Sequence, residues 1–395
     1  MNASPRGALR LRELALRTLA GLPADAAWQP AAACSAATWR AFLRAERCAI
    51  RLERALETTG YLQQLSPEVR DVIRQRALDE QTRILSARSQ LHELGQIAVE
   101  RDWRPAVLKG GLSALVGPGP VDLNDFDILV PKAAAGALAT VLDDRGHGAI
   151  FSTAQHLGAR ILPNALPVEI HISLEADGAL PAERVWQGLT PVPGCPGLHA
   201  LAPADHLWHV LRHAVVDHPN RRGRLRDLLV VSDAVAACGP EELAQLESRV
   251  DQHEYATPLR DVLAMAAAMS TSTPLTDRFR QLALAHYLVR QVTWRLPVST
   301  ARARDLAEWT FALLLGRRER RALWIHQVWQ RTLEPSPYRF IAWLEQRFPR
   351  LGRAWRVSIR SAYRALLVAG AVPIACAVKV ICARGLPATP TPERG

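Results

Sequence analysis

The chain has 395 residues, 49% hydrophobic and 22% charged, which excludes a disordered polypeptide and leaves room for two or three domains. Basic side chains outnumber acidic ones 49 to 38, but lysine stands only at Lys109, Lys132 and Lys379, so the charge of +11 is an arginine bias and does not by itself mark a nucleic-acid binder. The six cysteines form no Cys-x-x-Cys pair, which excludes a zinc knuckle and a disulfide framework and points to a reducing, cytoplasmic setting.

In chain order, residues 1–103 alternate apolar and charged positions at helical spacing, as in "TWRAFLRAERCAIRLERALETTGYLQQL", and no secretory signal is evident. The segment "SPEVRDVIRQRALDEQTRI" opens with serine as cap, Pro67 at the first helical position and Glu68 in the first turn. Near Arg104-Pro105 the texture changes to short apolar runs bounded by Gly, Pro and Asn: "AVLKG", "FDILV", "HGAIF", "ARILP" and "PVEIHISL". Between the second and third, "PKAAAGALATVLDDRG" reads as a helix that stops at Gly146. Residues 104–200 therefore form a small α/β core. Residues 201–384 return to helical patterning, and 385–395 make a polar, proline-rich tail expected to be disordered. The apolar stretch within 365–381 follows five arginines and contains Pro373; it reads either as a buried helix or as a peripheral membrane contact.

Chemistry concentrates in "VLKGGLSALVGPGPVDLNDFDILV". On a strand, Asp125 and Asp127 project to one side, and two carboxylates that close repel unless a cation lies between them. Mg2+, a hard ion that prefers oxygen donors, suits such a pair. In "PVEIHISL", Glu169 and His171 share the face opposite Val168, Ile170 and Ile172. Were the two strands neighbours, Glu169 would complete a three-carboxylate cluster able to hold two divalent ions for phosphoryl or nucleotidyl transfer. Lys109-Gly110-Gly111 lies between an apolar run and a helix, where backbone amides can approach a phosphate and the lysine can add a charge.

The series "LKGGLSAL", "DFDILV" and "VEIH" resembles the polymerase-beta-like nucleotidyltransferase superfamily, specifically its uncharacterised branch with a Leu-Lys-Gly motif, over residues 104–176 and more loosely to about 240. That resemblance implies an α+β fold, with a small mixed-sheet core flanked by N- and C-terminal helical regions. It also implies that Gly110 and Gly111 form the nucleotide-phosphate turn, that Asp125 and Asp127 bind magnesium, and that Glu169 is the third carboxylate. ATP or another nucleoside triphosphate would be the substrate, with AMP transfer to a hydroxyl or phosphate acceptor and release of pyrophosphate. The acceptor is left open among a small molecule, a peptide, a transfer RNA and a protein. The branch usually carries an arginine shortly before the first aspartate, whereas this chain has "PGPVDLND" there. That departure keeps a second reading in view: a catalytically silent member of the fold that binds a protein, RNA or a membrane surface.

Two further groups stand out. His206, His209 and His213 fall on one helical face and read as a metal site, as cleft lining or as ordinary packed histidines. In "PNRRGRLRD", Arg221, Arg222, Arg224 and Arg226 precede or open a helix, and Arg222 and Arg224 are candidate phosphate ligands.

Overall fold

The computed structural model describes residues 5–117, 121–149, 157, 159–174, 182–217, 223–253, 255–270 and several positions between 280 and 288. Arg222, His218 and the apolar stretch within 365–381 lie outside the described residues, as does the 385–395 tail.

Six helices come first: α1 (Pro5–Leu19), α2 (Asp25–Ala32), α3 (Ala36–Glu46), α4 (Ala49–Thr58), α5 (Tyr61–Gln64) and α6 (Pro67–Glu100). Caps set their starts as the sequence requires: Ser35 Oγ accepts from the Thr38 amide, and Ser66 Oγ accepts from the Val69 amide ahead of Pro67. The 34 residues of α6 span about 50 Å, long enough to serve two cores. Val69, Val72, Ile73 and Ala77 pack with the other N-terminal helices, whereas Ile84, Leu91, Leu94 and Ile97 pack under the sheet.

The α/β part follows with β1 (Ala106–Val107), α7 (Lys109–Val116), β2 (Phe126–Leu129), α8 (Lys132–Asp144), β3 (Gly148–Ala149), β4 (Arg160–Ile161) and β5 (Val168–His171). Then come α9 (Ala182–Gln187), β6 (Thr190–Pro191) and β7 (His199–Ala200), none of which the apolar pattern announces. The strands make one mixed, seven-stranded sheet in the order β3-β4-β5-β2-β1-β7-β6. The fold is α+β, with a small mixed sheet flanked by helices. At its centre β2 runs parallel to β5, with Asp127 opposite Glu169 and Leu129 opposite His171. The neighbourhood required for a carboxylate cluster is present.

Helices resume with α10 (Pro203–Arg212), which runs into a π-helical turn, His213–Asp217, and continue with α11 (Leu225–Ala236), α12 (Pro240–Asp251) and α13 (Ala256–Met269). Leu207, Trp208, Leu211, Leu228, Val231 and Leu259 share one apolar cluster with Leu11, Leu14, Trp39 and Leu52. The N- and C-terminal helices are thus buried against each other. Among the described residues no helix is long and apolar enough to cross a membrane.

Candidate active site

The site is built around the turn from β1 into α7. Lys109 has φ +50°, a backbone region uncommon for a residue with a Cβ, and its ammonium lies 2.7 Å from Oδ1 of Asp127. The reversal of the chain therefore falls at Lys109, and both glycines sit inside the first turn of α7 rather than in a loop ahead of it. Their smallness has a packing reason. A Cβ on Gly111 would stand 2.8 Å from Val107 Cγ1, so the helix can approach its own strand only without one. On Gly110 it would meet Leu123 Cδ2 at 2.5 Å and the Arg226 guanidinium at 3.4 Å. Gly110 is thus the place where an arginine from α11 reaches the start of α7.

Asp127 is almost wholly buried and takes two contacts on one oxygen, from Lys109 and from His171 Nε2 at 2.8 Å. Burial opposes its ionisation, but Lys109 and then His171 outweigh that and hold its carboxyl well below the usual carboxylate range. With Asp127 ionised, the His171 Nε2–H is the donor of their hydrogen bond. The same balance raises both partners: burial works against charge on Lys109 and on His171, and Asp127 overrides it in each case. Glu169 Oε2 lies 3.7 Å from His171 Nε2 and is more accessible, its side chain 24% exposed against 9% for Asp127.

Donor atoms of Asp127, Glu169 and His171 all lie within 4.8 Å of one another, the one such group of metal-ligating side chains among the described residues. Asp125 stands one residue ahead of β2, outside that group but electrically joined to it. Burial, then Asp127, push its carboxyl up to about 6, with Arg226 and Lys109 pulling the other way. Of the sequence-derived candidates, Lys109, Gly110, Asp125, Asp127 and Glu169 therefore converge. Arg224 is the N-cap residue of α11.

Two residues beyond those candidates, His171 and Arg226, join the site. His171 shares a strand face with Glu169, so alternation alone brings it alongside the acids. Arg226 was visible in "PNRRGRLRD", but only the fold selects it from its neighbours. Buried Arg12 pairs with Glu46, Glu46 Oε2 accepts from the Leu225 amide at 2.9 Å, and Arg12 also donates to the Gly223 carbonyl. A carboxylate thereby caps α11 one residue before Arg226, where an anion is favoured by the helix dipole.

α10 forms the neighbouring wall. His209 is 3% exposed, and burial followed by Lys109 and His171 keep its ring well below the usual histidine value, hence neutral. His213, in the π-helical turn, is close enough to help hold Asp127 ionised. His206 is pushed down to about 4 by burial alone. His206, His209 and His213 do not assemble into a metal-ligand group of their own; two of them border the acid cluster. A groove between α3 and α6, lined by Arg40, Arg44, Glu68 and Asp71 among others, contains none of these residues.

A second carboxylate centre fixes the approach to Asp125. Asp122 has no solvent exposure and accepts from Arg47 Nε at 2.9 Å, Arg76 Nη2 at 2.9 Å, and Arg83 Nε and Nη2 at 2.7 and 3.0 Å. These arginines come from the N-terminal helical region. It therefore anchors the strand that carries the catalytic candidates.

In a comparison with protein families, a model of an uncharacterised nucleotidyltransferase family matches residues 35–271. The chain belongs to that uncharacterised nucleotidyltransferase family. The match takes in α3 to α13 and so includes the N-terminal arginines that grip Asp122 as well as the sheet. Neither the curated proteins nor the solved structures provide a significant match. As a family nucleotidyltransferase, the chain is assigned nucleotidyl transfer in general, and its acid cluster is the part able to bind a metal ion.

Proposed function

We propose that this chain is a divalent-cation-dependent nucleotidyltransferase of the polymerase-beta-like kind, moving a nucleoside monophosphate, AMP from ATP in the first instance, to a hydroxyl or phosphate acceptor. The observation that carries the reading is the parallel register that sets Asp127 opposite Glu169, with Lys109 on Asp127 and Arg226 at Gly110. Family membership supports it.

The residues fit a divalent ion. Asp125, Asp127 and Glu169 supply carboxylates, and Mg2+ would shield the triphosphate charge and lower the pKa of an acceptor oxygen. Two such ions suit the three acids, with Asp127 shared. The α7 N-terminus at Gly110 and Gly111, with Lys109 and Arg226, would hold the triphosphate by charge-assisted hydrogen bonds, and Arg224 and Arg222 are proposed as further phosphate ligands. In transfer, the acceptor oxygen bonds to the α-phosphorus, the bond from that phosphorus to the bridging oxygen breaks, and pyrophosphate departs with the electron pair. Glu169, the more accessible acid, is placed to take the acceptor's proton. Buried Asp127, kept ionised, contributes fixed charge rather than proton transfer.

The acceptor is a small molecule, a peptide, a transfer RNA or a protein. The four described cysteines are free, which supports a reducing, cytoplasmic setting. The test is incubation of the chain with each of the four α-labelled nucleoside triphosphates, Mg2+ and a cell extract as acceptor source. Label should move to an extract component with the native chain and not with an Asp125→Ala, Asp127→Ala double variant. Transfer that persists in the variant, or that needs no divalent cation, contradicts the proposal.

A further inference from the structure

The acids of the site are not all-oxygen company. His171 stands inside the metal-ligating group, its Nε2 2.8 Å from Asp127 and 3.7 Å from Glu169, and it is buried, so its imidazole cannot turn to solvent. A site for Mg2+ alone has no use for a nitrogen donor, because Mg2+ prefers oxygen ligands and retains its waters. Imidazole instead favours first-row transition metals. A second observation points to a ligand in the same place. His209, 3% exposed, keeps its Nε2 without a hydrogen-bond partner among the described residues, and its charged neighbours are Lys109, His171 and Asp127. Buried nitrogens are paired in almost all folded proteins, so an orphan among the charged neighbours of a metal-ligating group calls for a partner such as an ion's water.

We infer that Asp127, Glu169 and His171 form a mixed nitrogen and oxygen site that prefers a first-row transition-metal dication to Mg2+, with the unpaired His209 nitrogen accepting a hydrogen bond from water on the ion. The inference rests on the metal-dependent reading given above and refines it. Asp125 and Asp127 offer an oxygen-only position that suits Mg2+; Asp127, Glu169 and His171 offer a second position of different character. Binding would release the Nε2 proton of His171 to solvent, freeing that nitrogen as a ligand beside the Asp127 carboxylate. Lys109 and one dication together match the three negative charges of Asp125, Asp127 and Glu169.

Mn2+ is the discriminating probe, because it binds most weakly in the first-row series and any preference for it over Mg2+ cannot come from softness alone. The full chain, without nucleotide, is titrated with Mn2+ and with Mg2+ by calorimetry, and bound Mn2+ is examined by electron spin echo spectroscopy in natural-abundance and 15N-histidine protein. The expected result is Mn2+ binding at least about tenfold tighter than Mg2+, with a nitrogen coupling that changes on 15N-histidine labelling and disappears, with the bound ion, in Asp127→Asn. Mn2+ held without histidine coupling, or with coupling that survives Asp127→Asn, overturns the inference while leaving an oxygen-ligated transferase intact. Failure of both ions to bind overturns it together with the metal-dependent reading. The spectroscopic comparison needs only the native chain, so misfolding of a variant does not obscure it.

Discussion

Lys109 Nζ lies 2.7 Å from Asp127 Oδ1, both groups nearly removed from solvent, and the contact joins the first residue of α7 to the second residue of β2. Lysine is one of three in the chain, and this one is placed by a left-handed backbone that a residue with a Cβ seldom adopts. Without Lys109, Asp127 would be a buried carboxylate with His171 as its hydrogen-bond partner and the more distant His213 as its other support. Lys109→Met should therefore destabilise the metal-free chain by about 3 kcal/mol, the usual cost of stranding one member of a buried pair. Saturating divalent cation should return much of this, since an ion at about 100 times its Kd contributes about 2.7 kcal/mol. Thermal melting with and without the ion checks both halves; a variant as stable as the native chain without metal would show that the pair has little structural role.

Arg226 reaches Gly110 from α11, and no ion-pair or hydrogen-bond partner is found for its Nε among the described residues. A guanidinium placed in this way is available for a phosphate. Arg226→Ala should raise KM for the nucleoside triphosphate about 10- to 100-fold, consistent with about 1.5–3 kcal/mol for a hydrogen bond to a charged group, and change the melting temperature little. Steady-state kinetics against triphosphate concentration separate the two effects. An unchanged KM would remove Arg226 from the phosphate site.

Asp122 carries the largest electrostatic network described, with Arg47, Arg76 and Arg83 on one buried carboxylate whose ionised form the arginines hold below the ordinary range against the opposing effect of burial. Asp122→Asn should cost about 3 kcal/mol, because the fully buried carboxylate on which Arg47, Arg76 and Arg83 converge loses its charge. Chemical denaturation measures it. A loss under about 1 kcal/mol would mean that solvent reaches the cluster and that the N-terminal helices do not anchor the acid strand.

Glu80 shares that centre. It is buried, accepts from the Ile50 amide at 3.2 Å, and burial followed by Asp122 raise its carboxyl from 4.5 to about 7. Because the folded state binds this proton more tightly than the unfolded state, Glu80 favours folding below about 4.5, and the benefit is lost as pH rises through about 7. Glu80→Gln keeps an acceptor for Ile50 and removes the titration. At pH 8 the variant should exceed the native chain by about 1–3 kcal/mol, with the difference vanishing near pH 4.5. Denaturant titrations across that pH range give the answer, and a variant less stable at pH 8 would reverse the assignment.

Much of this site was legible in the one-dimensional pattern because strand alternation is local. Asp125, Asp127, Glu169 and the apolar faces opposite them follow from period two, and the parallel β2–β5 pairing then brought Asp127 and Glu169 together. The start of helix α6 was legible because capping is also local: Ser66 is the cap and Pro67 the first helical residue. The strands β6 and β7 were harder, because Thr190–Pro191 and His199–Ala200 lie in no apolar run that marks them off from the turns around them. Asp122 and Arg226 were illegible in function because their partners lie 39 to 75 residues away in the first case and across helix α7 in the second. An arginine in a chain with 46 of them cannot announce which carboxylate or phosphate it serves.

In the proposed reaction the α-phosphorus of a nucleotide is transferred under the control of Asp127. Parallel reactions with α-labelled and γ-labelled ATP, Mg2+ or Mn2+ and an extract of acceptors, run with the native chain and Asp127→Asn, test it most directly. The α-label should enter an acceptor while the γ-label leaves as pyrophosphate, and both events should fall at least about 100-fold in the variant. Incorporation of the γ-label, or α-label transfer unchanged by Asp127→Asn, would contradict it.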